Sequence, residues 1–329
     1  VSFSAMYTPD AAVIASYNPD LIKLKRTIIS IAAQKDVSVQ IILTDDGSAN
    51  NYFLEAEAFL KSLSFTHYKF ISSESNQGTV KNIYKALPFI EGEYVKTISP
   101  GDYLYQANTL SRWYSFTKQS NAHLSFGDAI YYFEDQGKLK YDRVPTHPMD
   151  MDVYSENQDP ERIRNRYIIA SDITLGAALL CKTDLVREYM DQIVGKVTYA
   201  EDNIYRIMHA DGIAQQYCGF PVIWYESNSG ISTGKSKKWT RRLQDDWRAT
   251  DQIIIEKKPT DHLERRFQSF LMFQNESGIR SKFGMFRTFP ELIPYMIQNR
   301  IQKKEHLSVQ SADETFYKFI KTNAEESHE

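Results

Sequence analysis

The sequence predicts an α/β fold in which a largely parallel sheet carries helices on both faces. Two observations support this prediction. Over the first 105 residues, short apolar runs alternate with segments whose apolar residues recur at spacings of three and four. This βαβ order predicts that the connected strands run parallel and that their crossovers are right-handed. Beyond about residue 240 the pattern becomes helical and charged, which predicts a C-terminal helical appendage.

The alternating part contains four predicted strands and three predicted helices. The strands are 11–16, 39–43, 68–71 and 94–98, and the helices are 20–34, 51–63 and 79–87. The first helix places Leu21, Leu24 and Ile28 on one face. The second strand is apolar without interruption, which is typical of a parallel strand covered on both faces.

The alternation weakens after residue 105. We expect helices at 107–118, 183–194 and 202–210, strands at 124–133 and 218–225, and a small apolar run at 174–181. The polar segment 135–162 contains proline and is predicted to be a long loop. Further helices are predicted near 241–256, 260–276 and 312–322, and the acidic tail beyond Asn323 is expected to fray.

Composition places the chain among ordinary globular proteins, with 42% hydrophobic and 25% charged residues. A net charge of −3 gives no overall attraction to nucleic acid. The two cysteines, Cys181 and Cys218, argue against a disulfide framework and suit a reducing compartment. No run approaches the roughly 18 apolar residues of a membrane span, and the first residues lack the pattern of a signal peptide. We therefore expect a cytoplasmic protein.

Two acidic motifs directly follow predicted strands. Asp45–Ser48 follows the strand 39–43, and Ser99–Asp102 follows the strand 94–98. Carboxylates at the carboxyl ends of strands lie where open α/β sheets bind their ligands. A pyrimidine N3–H needs a carboxylate acceptor, and a diphosphate needs a hard cation held by one or two carboxylates. Each motif alone also fits an Asx turn, but together they predict a nucleotide-sugar site.

Three further segments carry candidate chemistry. Asn76–Asn82 offers a helix amino end and the Lys81 ammonium to an anion. Glu201–Asp202 opens a helix and offers a general base, although the helix dipole alone also favours acids there. Lys235–Arg242 contains five basic residues beside Trp239. This run suits a loop that closes over phosphates, a solvated surface or a contact with anionic lipid.

Several enzyme classes have no support in the sequence. The seven histidines are scattered without metal-ligand spacing, which argues against a zinc site. The chain contains no GxSxG, no GxxxxGK[ST] and no GxGxxG motif. A hydrolase triad, a P-loop kinase and a dinucleotide-dependent enzyme are therefore not indicated.

In their order along the chain, these motifs resemble the family-2 glycosyltransferases, which are inverting enzymes with the GT-A fold. The matching pieces are Ala15–Asn18, Asp45–Ser48, Asn76–Gly78 with Lys81 and Asn82, Gly92–Val95, Pro100–Asp102, Ser125–Asp128 and Glu201–Asp202. The resemblance covers roughly residues 10–235 and is to the type that builds bacterial surface polysaccharides or glycoproteins. It implies a Rossmann-like mixed sheet with helices on both faces, as in nucleotide-diphospho-sugar transferases.

The resemblance also implies a division of the chain. Residues 1–240 would form the GT-A catalytic domain, with a nucleotide-binding half at about 10–105 and an acceptor-side half at 106–240. Residues 241–329 would form the C-terminal helical region.

The resemblance implies a role for each matching residue. The residues expected to face the donor nucleotide are Ala15, Tyr17, Asp46, Asn76, Lys81 and Gly101. Asp102 matches the acid that holds Mn²⁺ or Mg²⁺, and Asp202 matches the catalytic base. Those expected to face the sugar or the acceptor are Asp128, Glu201 and Trp239. Ser229, Ser232, Lys235 and Lys238 lie where the family's later loop covers the diphosphate.

One position departs from the family. Gly101 stands where an aspartate that contacts the ribose is usual. Asp102 would then be the acid of the DxD-type motif that this chain retains.

The implied reaction moves a sugar from a nucleotide-diphosphate donor, with UDP as the default nucleotide, to a hydroxyl group by single displacement with inversion. The acceptor would be a glycan, a lipid-linked or a protein-linked molecule. The segment 283–304 is aromatic-rich with a basic end. It fits either a packed helix or a peripheral contact with the inner face of a membrane. The oligomeric state stays open.

Two alternatives remain at this stage. A non-catalytic scaffold that binds nucleotide or carbohydrate would keep Asp46 without needing Asp102 and Asp202. A sugar-phosphate nucleotidyltransferase also uses a half-Rossmann sheet and acids on Mg²⁺. It usually begins with a glycine-rich loop, which residues 15–20 do not contain.

Overall fold

The computed structural model describes residues 10–142, 148–154, 159–227, 237–257, 284, 286–301 and 312–326. The strands are β1 (Asp10–Ser16), β2 (Val39–Asp45), β3 (Tyr68–Ser72), β4 (Tyr94–Ile98), β5 (Tyr103–Leu104), β6 (Leu124–Asp135), β7 (Lys138–Tyr141), β8 (Leu179–Lys182) and β9 (Gln216–Glu226). The helices are α1 (Leu21–Ala32), α2 (Phe53–Ser62), α3 (Thr79–Tyr84), α4 (Thr109–Gln119), α5 (Pro160–Arg164), α6 (Thr183–Ile193), α7 (Asn203–Ala210), α8 (Lys237–Lys257), α9 (Ile293–Ile301) and α10 (Thr315–Glu326).

The described strands form one mixed sheet in the order β3-β2-β1-β4-β8-β6-β9-β5, with β7 paired to β6. The first four neighbours run parallel, as the alternation of strands and helices predicted. Strand β8 is antiparallel to both β4 and β6, and β6 runs parallel to β9. The carboxyl ends of β1, β2 and β4 therefore meet at one edge of the sheet, where both acidic motifs begin.

Hydrophobic cores cover both faces of this sheet. Val13 and Ile42 belong to a core shared with α6 and α7, whereas their neighbours Ile14 and Leu43 belong to a core shared with α1, α4 and α10. All seven residues of β2 are buried, which confirms the prediction of a strand covered on both faces. The predicted α/β class and the helices on both faces are thus confirmed.

The segment 135–162 is not the long loop that the sequence predicted. Strand β7 forms a hairpin with β6 through Gln136 and Gly137, which have φ of 49° and 74°. Positive φ at both turn residues is typical of a tight hairpin. Leu139 and Tyr141 alternate with lysines and pack against the second core. A short 3-10 helix and α5 follow within the described part of the segment.

The C-terminal tail also differs from expectation. Helix α10 continues through Glu326, beyond the point where fraying was expected. It packs on α1, and Glu325 forms an ion pair with the buried Arg26. Arg26 also pairs with Glu134 of β6, so this one guanidinium connects α1, β6 and α10. These contacts order the end of the helix.

The described part of 283–304 is packed rather than surface-exposed along its whole length. Phe289, Leu292 and Tyr295 are buried, and Ile297 is exposed. The Arg166 guanidinium stacks on the Tyr295 ring at 4.1 Å. The predicted helix at 260–276 lies outside the described residues. Within the described part of the chain, no helix combines the length and apolarity that crossing a membrane requires.

Candidate active site

The two acids at the end of β2 have different partners. The Asp45 carboxylate accepts hydrogen bonds from the Ser48 hydroxyl and from the Ser48 backbone N–H, the latter at 2.8 Å. Asp45 therefore forms the Asx turn. The Asp46 carboxylate instead accepts the backbone N–H groups of Gln77 at 2.9 Å and Gly78 at 2.8 Å. Asp46 thus holds the predicted Asn76–Gly78 loop at the sheet edge, and each of its oxygens keeps a lone pair.

This loop also contacts the segment that precedes the Glu201–Asp202 pair. Gly78 has φ of +95°, and a Cβ atom on it would lie 2.5 Å from the Thr198 carbonyl oxygen. The next turn is fixed to the same oxygen, because the Val80 N–H donates to it at 3.1 Å. Gly78 therefore allows the Asn76–Gly78 loop to approach the segment that leads into Glu201.

Gly78→Ala is expected to lower the free energy of unfolding by about 2–4 kcal/mol, because strained φ and a clash with Thr198 add together. Urea denaturation measures the loss. Gly137→Ala is the matched control: Gly137 also has positive φ, but nothing lies within 4 Å of its Cβ position. The control should lose only about 1–2 kcal/mol. Equal losses in both variants would show that the approach to Thr198 is not tight.

Asp102 is fixed by three neighbouring elements. Its carboxylate accepts the Glu226 backbone N–H from β9 at 3.0 Å. Thr27 of α1 donates its hydroxyl to the Asp102 carbonyl at 3.0 Å and accepts the Gly101 N–H at 3.2 Å. Tyr132 of β6 donates to the Gly101 carbonyl at 2.6 Å. Burial raises the pKa of Asp102 to about 7, against the opposing effect of nearby ammonium groups.

A buried lysine links the two acidic centres, and the sequence reasoning missed it. Lys96 lies in β4 at 1% exposure, and its ammonium donates to the Thr97 carbonyl. Burial lowers the pKa of Lys96 to about 7, while attraction to Asp102 and Glu201 opposes this effect. One ammonium therefore acts electrostatically on both acids. The sequence signal that could have indicated it is a lysine in the middle of the short strand β4.

Asp246 of α8 orders the segment in front of the acid pair. Its carboxylate accepts the backbone N–H groups of Thr198 at 2.9 Å, Tyr199 at 2.7 Å and Ala200 at 3.0 Å. Asp246 is itself buried. Three convergent hydrogen bonds on one carboxylate fix the backbone that leads into Glu201 and α7. The sequence reasoning did not single out this residue, which is more than 40 positions away along the chain.

Glu201 and Asp202 lie where α7 begins, beside a small cavity that β4 and α6 also line. Burial raises the pKa of Glu201 to about 8, and the neighbouring Asp202 raises it further. Burial also raises the pKa of Asp202, but the Arg206 guanidinium one turn along α7 opposes this shift. Arg206 is in turn paired with Asp251 of α8 at 2.7 Å. Arg206 therefore acts electrostatically on Asp202, whereas Lys96 acts on Glu201.

The carboxylate of Asp202 requires a small neighbour. A Cβ atom on Gly176 would lie 3.1 Å from the Asp202 Cβ and 3.4 Å from its Oδ2. Gly176 begins the 3-10 turn that leads into β8. Gly176 belongs to the site because of this close approach to Asp202, and no sequence motif indicated it.

Trp239 packs on Tyr199, which precedes the acid pair in the chain. The two rings meet edge to face with centroids 4.9 Å apart. The Arg242 guanidinium stacks on both rings and donates to the Tyr199 hydroxyl at 2.9 Å. Trp239 and Arg242 at the start of α8 thus form an aromatic and cationic cluster with Tyr199, which stands three residues before Asp202 in the chain.

Other predicted residues are less closely connected to this centre. Asp128 accepts the Tyr217 hydroxyl on both carboxylate oxygens, at 3.0 and 2.9 Å, between β6 and β9.

Three further candidates lie near the carboxyl ends of the strands. Tyr17 is 53% exposed just beyond β1, Lys81 is exposed on the first turn of α3, and Ala15 is partly buried. Ser229, Ser232 and Lys235 lie outside the described residues, as does the side chain of Lys238.

The carboxylate of Asp102 fits a divalent cation whose coordination shell is completed by the phosphates of a bound substrate. Within the described ranges, no three His, Cys, Asp or Glu side chains converge as a metal cage. Magnesium and manganese commonly use one or two carboxylates, with phosphate oxygens and water filling the other positions. Asp102 is compatible with this arrangement, because the Glu226 N–H bonds Oδ1 and leaves the Asp102 carboxylate further lone pairs for a cation.

Comparison with known proteins gives a family and a fold. The family model described as "Glycosyl transferase family 2" matches residues 11–189, just over half of the chain. Comparison with curated proteins finds no match.

Two similar solved structures are of S. aureus TarS 1–349. The complex with UDP is 14% identical, covers 89% of this chain and 87% of that one, and has a TM-score of 0.51. The complex with UDP-GlcNAc is 16% identical, covers 87% of this chain and 80% of that one, and also has a TM-score of 0.51. At these identities the likeness shows the fold, which is the GT-A fold that the sequence motifs implied.

Proposed function

The chain belongs to glycosyl transferase family 2, and from this premise we propose that it moves a sugar from a UDP-linked donor to an acceptor hydroxyl by single displacement with inversion. The observation that carries the proposal is the convergence of three acidic centres. Asp46 is connected to the Glu201–Asp202 segment through Gly78 and Thr198. Asp102 is connected to the same segment electrostatically through Lys96.

The donor nucleotide would bind along the carboxyl edge of β1, β2 and β4. The remaining lone pairs of Asp46 suit the N3–H of uracil, and the exposed ring of Tyr17 stands at the end of the neighbouring strand. The exposed ammonium of Lys81 suits the phosphates. UDP is favoured because the two similar TarS structures contain UDP and UDP-GlcNAc.

Asp102 would hold a divalent cation that offsets the negative charge of the departing nucleoside diphosphate. The protein contributes a fixed carboxylate, because hydrogen bonds from α1, β6 and β9 prevent the turn from moving. Preorganised charge of this kind costs little reorganisation when the bond to the leaving group breaks.

Asp202 would remove the proton from the acceptor hydroxyl as it attacks the anomeric carbon. The Arg206 guanidinium favours the ionised carboxylate of Asp202. Burial and the adjacent Asp202 raise the pKa of Glu201, and the Lys96 ammonium opposes this shift. The Trp239 and Tyr199 rings would form the acceptor side, where aromatic faces suit a sugar ring. The acceptor is a glycan, a lipid-linked or a protein-linked hydroxyl.

We further propose that the protein acts in the cytoplasm. Both cysteines are free and buried, which supports a reducing compartment.

Calorimetric titration with UDP, dTDP and GDP, each with and without Mn²⁺, tests the proposal. UDP is expected to bind only when Mn²⁺ is present. Asp102→Ala should weaken this binding about tenfold or more, because the cation loses its carboxylate. Asp184→Ala is the control, since this acid is 89% exposed on α6 and its ion pair is local. A folded protein that binds none of the nucleotides would contradict the transferase and favour a scaffold.

A further inference from the structure

A carboxylate from β9 occupies the space above Gly101. A Cβ atom on Gly101 would lie 2.5 Å from Glu226 Oε2 and 3.4 Å from its carboxyl carbon. Gly101 also has φ of +106°, a conformation that L side chains rarely adopt. The turn before Asp102 therefore excludes a side chain of its own and packs directly against a carboxylate that comes from 125 positions later in the chain.

Glu226 is firmly placed at this point. Its backbone N–H donates to the Asp102 carboxylate at 3.0 Å, and β9 pairs with β5 immediately after the turn. The side chain is 13% exposed and is directed by Lys23, whose ammonium bonds Oε1 at 2.6 Å and Oε2 at 2.7 Å. Lys23 comes from α1 and is itself 36% exposed.

Two carboxylates meet at this turn. Asp102 directly follows Gly101, and the Glu226 carboxylate lies against Gly101 while the Glu226 N–H bonds the Asp102 carboxylate at 3.0 Å. Lys23 supplies the cation that the Glu226 carboxylate now binds, through a long and partly exposed side chain. A divalent ion attracts two carboxylates more strongly than one ammonium does, because its charge is double and compact.

We propose that Glu226 is the second carboxylate of the donor site, and that it binds the divalent cation together with Asp102 when a nucleoside diphosphate is present, releasing Lys23. This inference rests on the proposed function. The Glu226 carboxylate comes from β9 and occupies the space that Gly101 leaves because it has no side chain. Lys23 holds the Glu226 carboxylate in place until the cation replaces it.

The test measures Mn²⁺ binding in the presence of saturating UDP, by the electron paramagnetic resonance signal of free Mn²⁺. Glu226→Gln is expected to weaken Mn²⁺ binding about tenfold or more. Lys23→Met should leave the constant unchanged or make binding tighter, because it removes the competing ammonium. Glu226→Asp, which keeps the charge on a shorter side chain, serves as a second variant if Glu226→Gln does not fold.

Glu93→Gln is the matched control. Glu93 also bonds one lysine through both oxygens, Lys118 at 2.7 and 2.9 Å, and is similarly half-buried. It precedes β4, so it lies at the opposite edge of the sheet from Asp102. Its replacement should not change Mn²⁺ binding.

The outcomes separate this inference from the proposed function. Normal Mn²⁺ binding in folded Glu226→Gln, with binding lost in Asp102→Ala, would overturn the role of Glu226 alone. The same holds if Lys23→Met weakens binding as much as Glu226→Gln does, because the ion pair rather than the carboxylate would then matter. Failure of the wild-type protein to bind Mn²⁺ and UDP together would remove the proposed donor site itself.

Discussion

Asp202→Asn is expected to reduce sugar transfer by about 10²–10⁴-fold while UDP binding is retained. The amide keeps the size of the side chain beside Gly176 but cannot accept the acceptor's proton. Asp202 makes no side-chain cap to α7, so the change should not unravel the helix. Single-turnover transfer, measured beside calorimetric UDP binding, separates the two effects.

Two controls define what this result means. Asp184→Asn, on the exposed face of α6, should transfer at the wild-type rate. Glu201→Gln should lose less activity than Asp202→Asn, because the raised pKa of Glu201 already favours its protonated form. If Glu201→Gln were the inactive variant, the base would be Glu201. Loss of UDP binding in Asp202→Asn would instead indicate a structural role.

Asp246→Ala is expected to lower the free energy of unfolding by about 3–5 kcal/mol, since three backbone N–H groups lose their acceptor inside the protein. Transfer should fall as well, because the backbone leading to Glu201 is no longer held. Urea denaturation and the transfer assay measure the two losses. Asp245→Ala is the adjacent control: this carboxylate is 60% exposed and pairs only locally with Arg248.

The control should lose at most about 0.5 kcal/mol, as exposed pairs usually do. A similarly small loss in Asp246→Ala would mean that other acceptors or water replace the carboxylate. An unchanged rate of transfer despite lower stability would show that the acid pair does not depend on this attachment.

Local patterns were sufficient to predict the first half of the fold. The uninterrupted apolar run of β2 and the helical spacing of α1 each appear within one short segment, so both elements were recognised. The β7 hairpin was missed because its strand is short and its alternation involves only Leu139 and Tyr141. The end of α10 was missed because its charged sequence is typical of a solvated tail. The ion pair between Glu325 and Arg26 that orders it is a tertiary contact.

The same limit applies to the candidate site. Asp46, Asp102 and Asp202 stand in recognisable motifs, and their roles remain proposals to be tested. Asp46 could not be distinguished from Asp45 by sequence, because the difference lies in which backbone N–H groups each one meets. Asp246 and Glu226 reach the site only through tertiary contacts, and neither stands in a motif.

The ion pair between Arg26 and Glu325 joins residues 299 positions apart. Leu24 and Ile28 of α1 share a core with Phe316, Tyr317 and Ile320 of α10. During synthesis on the ribosome, the part of α1 that packs on α10 therefore stays uncovered until Thr315–Glu326 has emerged. Long-range closure of this kind slows folding and leaves the growing chain open to aggregation or to binding by chaperones. The strands and helices of the first half of the sheet are synthesised early, but the packing of α1 against α10 forms late.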